Sequence, residues 1–282
     1  MPPSKERQRQ IARAKLERQM ARRAAAARRR RRVQAGIGAA LGLLAVVAGT
    51  VFLVAKFGGD DDKAASADAP KCTYSPPAAG TFDPKTVKDV GVPPTTDIPT
   101  TGTRTVSLKT SVGLIEIALD QAAAPCTAHS FVYLAGKGFY DGSSCHRMTT
   151  GPAKDPKALK VLQCGDPSGT GTGGPAYKYG AENLPTQTVT LEQGKVATYT
   201  RGTVAMANSG PDTTGSQFFI VYGDSQLPPN YNIVGEVTSG LEVVDKVAKA
   251  GVTPRDPKNP NDGTPKLKVT LQNVTVEPTN NG

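Results

Sequence analysis

The sequence predicts a mainly β domain, best arranged as a closed antiparallel barrel with two α-helices, behind an N-terminal transmembrane helix. Three observations indicate this class. Short stretches of alternating apolar and polar residues recur through the C-terminal part of the chain, only two segments there have helical spacing, and one apolar stretch of 23 residues lies near the N-terminus. Many short strands leave no exposed sheet edge when the sheet closes on itself.

Basic residues are concentrated at the N-terminus of the 282-residue chain. Residues 1–32 contain 13 Lys and Arg against 2 Asp and Glu, a net charge of +11, whereas the remaining residues together carry −1. The main domain therefore lacks the excess of positive charge that a nucleic-acid groove requires. We predict a basic cytoplasmic arm at residues 1–32 and no nucleic-acid partner.

The apolar stretch at residues 33–55 has only Gln34 and Thr50 as polar members. It is long enough to cross the ~30 Å hydrocarbon core of a bilayer, where unpaired backbone groups are costly and a helix is favoured. Arginines precede the stretch and Asp60 to Asp62 follow it, which places the N-terminus in the cytoplasm. A cleavable signal peptide is the alternative, but its apolar region is shorter. We predict a single-pass signal anchor in the cell membrane, with the folded domain extracytoplasmic.

Residues 56–102 contain seven prolines among Ala, Thr, Gly and Asp. Each proline fixes φ and removes a backbone donor, which disfavours helices and central strands. We therefore predict an extended tether at 56–102 that holds the domain away from the membrane.

The folded domain is predicted at residues 103–277, followed by a disordered tail at 278–282. Val106 and Leu108 share one face of the first strand, and the next strand begins after a turn at Gly113, which predicts a hairpin with one buried face. A helix is predicted at 125–134, and a second one after the capping box Ser239-x-x-Glu242. The other predicted strands are 145–148, 161–164, 203–207, 217–221, 232–237 and 266–276.

The cysteines and glycines carry weaker signals. Four cysteines in an exported domain predict disulfides, and their spacing leaves three pairings open. Cys145 and Cys164 flank predicted strands that could pair, which favours a bridge between them, and Cys72 would then join the tether to Cys126. The chain lacks the paired ligand spacings of a zinc site, and the G-x-G-x-x-G match that begins at Gly169 lacks the following helix that a nucleotide site needs. We predict neither a metal nor a cofactor.

Four segments, in order along the chain, resemble the motifs of the cyclophilin family, in a membrane-anchored bacterial form similar to those of actinobacteria. The resemblance covers residues 103–277. The segments are Phe139-Tyr-Asp-Gly-Ser-Ser-Cys-His146-Arg147, Gln163-Cys-Gly-Asp166 with the glycine-rich run after it, Met206-Ala-Asn208 leading to Gly215-Ser-Gln217-Phe-Phe219, and Leu227 with Tyr231-Asn-Ile-Val-Gly235.

The resemblance implies an eight-stranded antiparallel barrel capped by two helices, and the activity of a peptidyl-prolyl cis-trans isomerase that acts on Pro-containing segments of unfolded or exported proteins. It implies that Arg147 is the catalytic residue, donating a hydrogen bond to the proline nitrogen of a twisted X-Pro bond. The implied substrate-binding residues are Gln163, Val161, Ala207, Asn208, Gln217, Phe219, Leu227 and Tyr231.

Three positions depart from the family pattern. Lys160 stands where Phe is common, Gln226 where Trp is common, and Tyr231 where His is common. Lys160 and the long segment before it leave open an alternative function, a catalytically weak module that binds Pro-containing segments of a partner. The missing Trp predicts weak binding of cyclosporin, the family inhibitor.

Overall fold

The structure is a computed structural model that describes residues 70–76, 83, 85–152, 155, 158–192 and 194–278. The predicted arm, the predicted span at 33–55, the start of the predicted tether and most of the predicted tail lie outside these residues. Within the described part of the chain, no helix has both the length and the apolar character needed to cross a bilayer.

Strands dominate the described residues and two helices accompany them, so the prediction of a mainly β domain with two helices is confirmed. The strands are β1 (Val87–Lys88), β2 (Thr103–Thr110), β3 (Gly113–Asp120), β4 (Arg147–Thr149), β5 (Val161–Cys164), β6 (Gly174–Pro175), β7 (Val189–Leu191), β8 (Gly194–Tyr199), β9 (Thr203–Met206), β10 (Phe218–Val221), β11 (Ser225–Leu227), β12 (Ile233–Ser239), β13 (Val252–Pro254), β14 (Asp262–Pro265) and β15 (Leu271–Val276). The helices are α1 (Pro125–Gly136) and α2 (Leu241–Ala250).

Ten strands form one antiparallel sheet in the order β13-β14-β4-β5-β10-β9-β12-β3-β2-β15. The sheet thus has two strands more than the eight that were predicted, and β13 and β15 are its outer strands. An isolated bridge joins Ser144, shortly before β4, to Thr270, directly before β15. Among the described residues, β11-β8-β7 form a separate small sheet, and β1 pairs with β6 in parallel.

The predicted hairpin of β2 and β3 is present, with the predicted buried face. Val106 pairs with Ile117 and Leu108 with Ile115, and all four side chains are buried. The alternation in sequence therefore reports the buried face correctly.

Helix α1 begins where its sequence predicts. Pro125 occupies the first turn, where its missing N–H costs nothing. The Glu182 carboxylate accepts hydrogen bonds from the backbone N–H groups of Cys126 and Thr127, at 3.1 and 2.7 Å. A distant side chain thus satisfies donors that the first helical turn leaves unpaired.

The capping box predicted for α2 does not form, and that prediction is wrong. The residue before the helix is Gly240, in the left-handed region at φ 85°, and no side chain caps the helix. A Cβ at Gly240 would lie 2.1 Å from the carbonyl oxygen of Leu114. The close approach of β3 therefore requires glycine at this position, and Ser239 stays in β12.

The two faces of the main sheet belong to different apolar clusters. Along β10, Phe218 and Ile220 belong to the main core together with the buried side of α1, whereas Phe219 and Val221 belong to a smaller cluster on the opposite face. Tyr199 of β8 is part of this smaller cluster. Alternation along one strand thus places neighbouring residues in separate environments.

The described part of the segment predicted as a tether is folded against the domain. Cys72 forms a disulfide with Cys126 of α1, and the side chain of Tyr74 is buried in the main core. The backbone of Ser75 pairs with Lys178, at 2.8 and 2.7 Å. The many prolines in this segment indicate little regular secondary structure. They do not predict whether apolar and cysteine side chains attach the segment to the core.

Candidate active site

One row of side chains crosses five strands on the face of the smaller cluster. Arg147 of β4 pairs with Gln163 of β5, Gln163 with Phe219 of β10, Phe219 with Ala205 of β9, and Ala205 with Ile233 of β12. Residues that pair directly across strands point to the same side of a sheet. The sheet therefore brings a cation, an amide and an aromatic ring together from distant parts of the sequence.

The Arg147 guanidinium is held in one orientation by two neighbours. Its Nε and Nη2 donate to the two carboxylate oxygens of Asp262, at 2.9 and 2.7 Å, and Nη1 donates to Oε1 of Gln163 at 3.2 Å. Such a bidentate pair fixes the plane of the guanidinium. The hydrogen bonds that the Asp262 carboxylate accepts raise the pKa of Arg147, so the side chain stays charged. Since guanidinium carries five N–H donors, one on Nη1 and one on Nη2 remain available.

The amide side chains continue this network into the neighbouring loop. Gln163 Nε2 donates to Oε1 of Gln217 at 2.9 Å, and Gln217 Nε2 donates to the carbonyl oxygens of Gly171 and Gly173 at 3.0 and 2.9 Å. These bonds define the orientation of both amide groups, because each nitrogen faces an acceptor and each oxygen faces a donor. Gln163 therefore positions Arg147 and is itself positioned by Gln217.

An open cavity of about 300 Å³ lies beside the guanidinium. We call it the cup. It is lined by Arg147, Leu159, Val161, Gln163, Ala207, Asn208, Phe219, Leu227 and Tyr231. Eight of the nine residues predicted for the site line the cup, and the ninth, Gln217, contacts it through Gln163.

Two aromatic rings, together with aliphatic side chains, form the apolar part of the cup. The rings of Phe219 and Tyr231 meet edge to face with centroids 5.5 Å apart, and the Tyr199 ring lies 6.2 Å from that of Phe219. The Tyr199 hydroxyl accepts from the N–H of Tyr231 and donates to its carbonyl oxygen, both at 3.3 Å. The β8 strand thus supports the ring of Tyr231, a contact that the sequence did not predict.

The backbone at Ala207 and Asn208 follows β9 at the edge of the cup. The Ala207 N–H donates to the carbonyl oxygen of Gln217 at 2.8 Å, and the Asn208 side chain donates to the carbonyl oxygen of Asn230 at 2.7 Å. Among the described residues, no hydrogen bond occupies the backbone N–H or C=O of Asn208. These groups are therefore free to pair with an extended chain laid across the cup.

The family model for cyclophilin type peptidyl-prolyl cis-trans isomerase/CLD matches residues 105–276. The chain belongs to the cyclophilin family. A protein named probable peptidyl-prolyl cis-trans isomerase B of Mycobacterium tuberculosis is 44% identical over 211 residues, covering 73% of this chain and 64% of the relative. The Mycobacterium leprae protein of that name is 43% identical over 211 residues, covering 73% of this chain and 66% of the relative.

A shorter relative, peptidyl-prolyl cis-trans isomerase B of Bacillus subtilis, is 40% identical over 139 residues, covering 49% of this chain and 85% of the relative. This chain thus spans less than two thirds of the length of the mycobacterial proteins and most of the length of the Bacillus protein.

Three residues of the cyclophilin site escaped the sequence analysis: Asp262, Leu159 and Tyr199. Asp262 is the first residue of β14, directly after a turn-rich segment and 115 residues after Arg147, and no local pattern marks it. Leu159, and not Lys160, lines the cup. The cup wall therefore stays apolar at the position where the sequence suggested a change.

The cysteine pairing favoured by the strand pattern is confirmed. Cys145 is bonded to Cys164 and Cys72 to Cys126. The first bridge lies two residues before Arg147 and one residue after Gln163, so it holds β4 and β5 together beside the site. Among the described residues, no group of three or more metal-ligating side chains occurs.

Directly before the site arginine, His146 is buried, with only 4% of its surface exposed. Neither ring nitrogen has a hydrogen-bond partner among the described residues. Burial lowers the pKa of His146 to about 4, although the Asp166 carboxylate acts in the opposite direction. The folded protein therefore keeps this ring neutral at pH values where the unfolded chain binds a proton.

Acid should destabilise the protein through His146. Because the folded pKa lies below the unfolded one of about 6.5, stability is lost as the pH falls from about 6.5 towards 4. We expect the free energy of unfolding to drop by about 2 kcal/mol between pH 7 and pH 5, measured by denaturant titration. The drop should shrink in His146→Asn and persist in His129→Gln. Equal stabilities of the wild type at the two pH values would contradict this expectation.

Proposed function

We propose that this cyclophilin catalyses the cis-trans isomerisation of X-Pro peptide bonds. The observation that carries the proposal is the Arg147 guanidinium, fixed by Asp262 and Gln163 with unused N–H donors at the edge of an apolar cup. The names of the relatives and the family of the chain support the same activity.

The chemistry needs no nucleophile. Amide resonance opposes rotation about C–N with a barrier of ~18–20 kcal/mol. A site accelerates the rotation if it stabilises the twisted amide more than either planar form. In the twisted amide the proline nitrogen regains its lone pair, and Arg147 donates a hydrogen bond to it. A permanently charged and rigidly held guanidinium suits this role better than a flexible ammonium.

The substrate lies across the cup as an extended chain. Its proline ring contacts Phe219, Val161, Leu227 and Tyr231, and its backbone pairs with Ala207 and Asn208 as a short added strand. Gln163 and Gln217 hold Arg147 and the chain in register. Burial of the ring fixes one side of the bond while the other side rotates.

The test is the rate of exchange in a short X-Pro peptide, measured by two-dimensional NMR with the full chain in detergent. The full chain is used because the Cys72–Cys126 bridge joins residues before 103 to the domain. Exchange well above the uncatalysed rate supports the proposal. Exchange at the uncatalysed rate with measurable peptide binding would favour the weak binding module instead.

Asp262 acts as a positioning residue, and its charge should affect turnover. Asp262→Asn cannot accept from both Nε and Nη2 of Arg147, so the guanidinium gains freedom. We expect kcat to fall roughly tenfold with little change in KM, since a hydrogen bond to a charged group contributes about 1.5–3 kcal/mol. Asp245→Asn, which breaks the exposed pair with Arg201, is the matched control and should leave both constants unchanged. An unaltered kcat in Asp262→Asn would show that Arg147 does not need this partner.

We propose further that the main sheet closes into a barrel. Supporting this, the N–H of Cys145 donates to the carbonyl oxygen of Val269 at 2.9 Å, and the N–H of Leu271 to that of Ser143 at 2.8 Å. These bonds connect the segments next to β4 and β15. Slow amide hydrogen exchange at Cys145 and Leu271, comparable to that of central strands, is the expected result.

We also propose that residues 33–55 anchor the chain in the cell membrane, with the N-terminus cytoplasmic and the isomerase acting on exported proteins. The apolar stretch, the arginines before it and the two disulfides support this location. Protease added to intact cells should degrade the domain and leave the arm. A domain that resists protease until the cells are lysed would contradict the proposed orientation.

A further inference from the structure

A second cavity of about 240 Å³ adjoins the cup. The two cavities share Gln163, Ala207 and Asn208 in their walls. The second cavity is open and lies beside the glycine-rich loop that follows β5. An extended chain that pairs with Asn208 therefore passes both cavities.

Lys178 is the one charged residue among the side chains that line the second cavity. Its neighbours Tyr177 and Tyr179 are buried in the main core, so the alternation of the segment turns Lys178 to the opposite side. A Cβ built on Gly215 would lie 2.9 Å from its Nζ, and one built on Gly174 would lie 3.3 Å from it. The two glycines thus leave the space that the ammonium occupies.

The ammonium of Lys178 has no hydrogen-bond acceptor among the described residues. Burial lowers the pKa of Lys178, and the charge of Asp166 offsets part of this effect. The Asp166 carboxylate does not form a salt bridge with the Lys178 ammonium. Its oxygens instead accept hydrogen bonds from the N–H groups of Ser168, Gly171 and Gly173 and from the Ser168 hydroxyl. A partly desolvated ammonium from which no group of the described residues accepts a hydrogen bond, at the wall of an open cavity, is a favourable partner for a bound anion.

We propose that the second cavity binds an acidic side chain of the substrate, with Lys178 as the residue that selects the carboxylate. The cavity has the size of a side chain, a polar lining without any acidic residue, and a wall in common with the cup. The carboxylate belongs to the same peptide whose proline lies in the cup, a few residues away. This inference rests on the proposed isomerase function and adds to it a preference for Glu or Asp near the proline.

The test uses two series of X-Pro peptides. Each peptide carries a single Glu in one series, or a single Gln in the other, at one of the three positions on either side of the proline. The readout is the ratio of kcat/KM for the Glu and Gln peptides, measured within one variant, so that differences in folding or in overall turnover cancel. For the wild type we expect one position at which Glu is favoured about tenfold, which corresponds to about 1.4 kcal/mol. In Lys178→Met the ratio at that position should fall to about one. In Lys178→Glu a Lys peptide should be favoured over the Glu peptide.

Lys249→Met is the matched control, since Lys249 is exposed on α2 and lines neither cavity; it should keep the wild-type ratio. Turnover of the Gln peptides reports the isomerase itself, so failure of that function is distinguishable from failure of the selectivity. If no peptide is turned over, fluorescence anisotropy of the labelled Glu and Gln peptides gives the same comparison as a ratio of Kd values. A ratio near one at every position in the wild type, or a preference that persists in Lys178→Met, overturns the proposal.

Discussion

Replacement of Arg147 by alanine is expected to lower kcat/KM for an X-Pro peptide by about 10²- to 10³-fold, the range seen when a preorganised donor to a transition state is removed. The loss should fall mainly on kcat, because the apolar cup that holds the proline ring stays intact. Arg147→Lys should recover only part of the rate, since an ammonium cannot keep the bidentate contact with Asp262 and also donate into the cup. Exchange NMR on a single peptide measures all three proteins under the same conditions.

The control for this series is Arg201→Ala. Arg201 also forms a bidentate pair with an aspartate, Asp245, at the same closest distance of 2.7 Å as the Arg147–Asp262 pair, and it lines neither cavity. Its removal should leave kcat/KM unchanged. If Arg147→Ala retains wild-type turnover, the cup acts without the cation and the mechanism proposed above is wrong.

Removal of the Cys72–Cys126 bridge is expected to cost about 4 kcal/mol of stability. The bridge closes a separation of 54 residues, and a disulfide stabilises by limiting the freedom of the unfolded chain, more so for longer loops. The variant Cys72→Ser with Cys126→Ser should also release the segment around Tyr74 from the core. Denaturant titration of the wild type and the double variant measures the difference.

The second bridge provides the comparison. Cys145→Ser with Cys164→Ser opens a separation of 19 residues and should cost about 3 kcal/mol, less than the first double variant. At a temperature where both variants stay folded, loss of Cys72–Cys126 should not change kcat/KM, since neither cysteine lines the cup. An unchanged unfolding midpoint without Cys72–Cys126 would mean that this bridge adds nothing to the stability of the fold.

Much of the sheet was predictable because alternation is a local signal. Val106 and Leu108 in β2 are two positions apart, as are Ile115 and Ile117 in β3, and that spacing alone defines the buried face. The start of α2 was not predictable in this way. The clash that requires glycine at position 240 comes from a strand more than a hundred residues earlier, and no nearby residue reports it.

The same distinction between local patterns and long-range contacts applies to the residues of the site. Its family motifs identified eight of the residues that line the cup, but not Asp262, which reaches Arg147 only because β14 pairs with β4. Lys178 was overlooked although its position between Tyr177 and Tyr179 is a visible signal. Two aromatic residues that flank a lysine in an extended segment indicate that the lysine faces away from the core.

The neighbouring side chains of Phe218 and Phe219 in β10 lie on opposite faces of the sheet and belong to different apolar clusters. A substitution at Phe218 changes the packing of the main core, whereas a substitution at Phe219 changes the wall of the cup. Under the proposed function, the preference for substrates can therefore change through Phe219 while the packing of the main core is retained. Variation at Phe219 should accordingly be tolerated in cells far better than variation at Phe218 or Ile220, which belong to the main core.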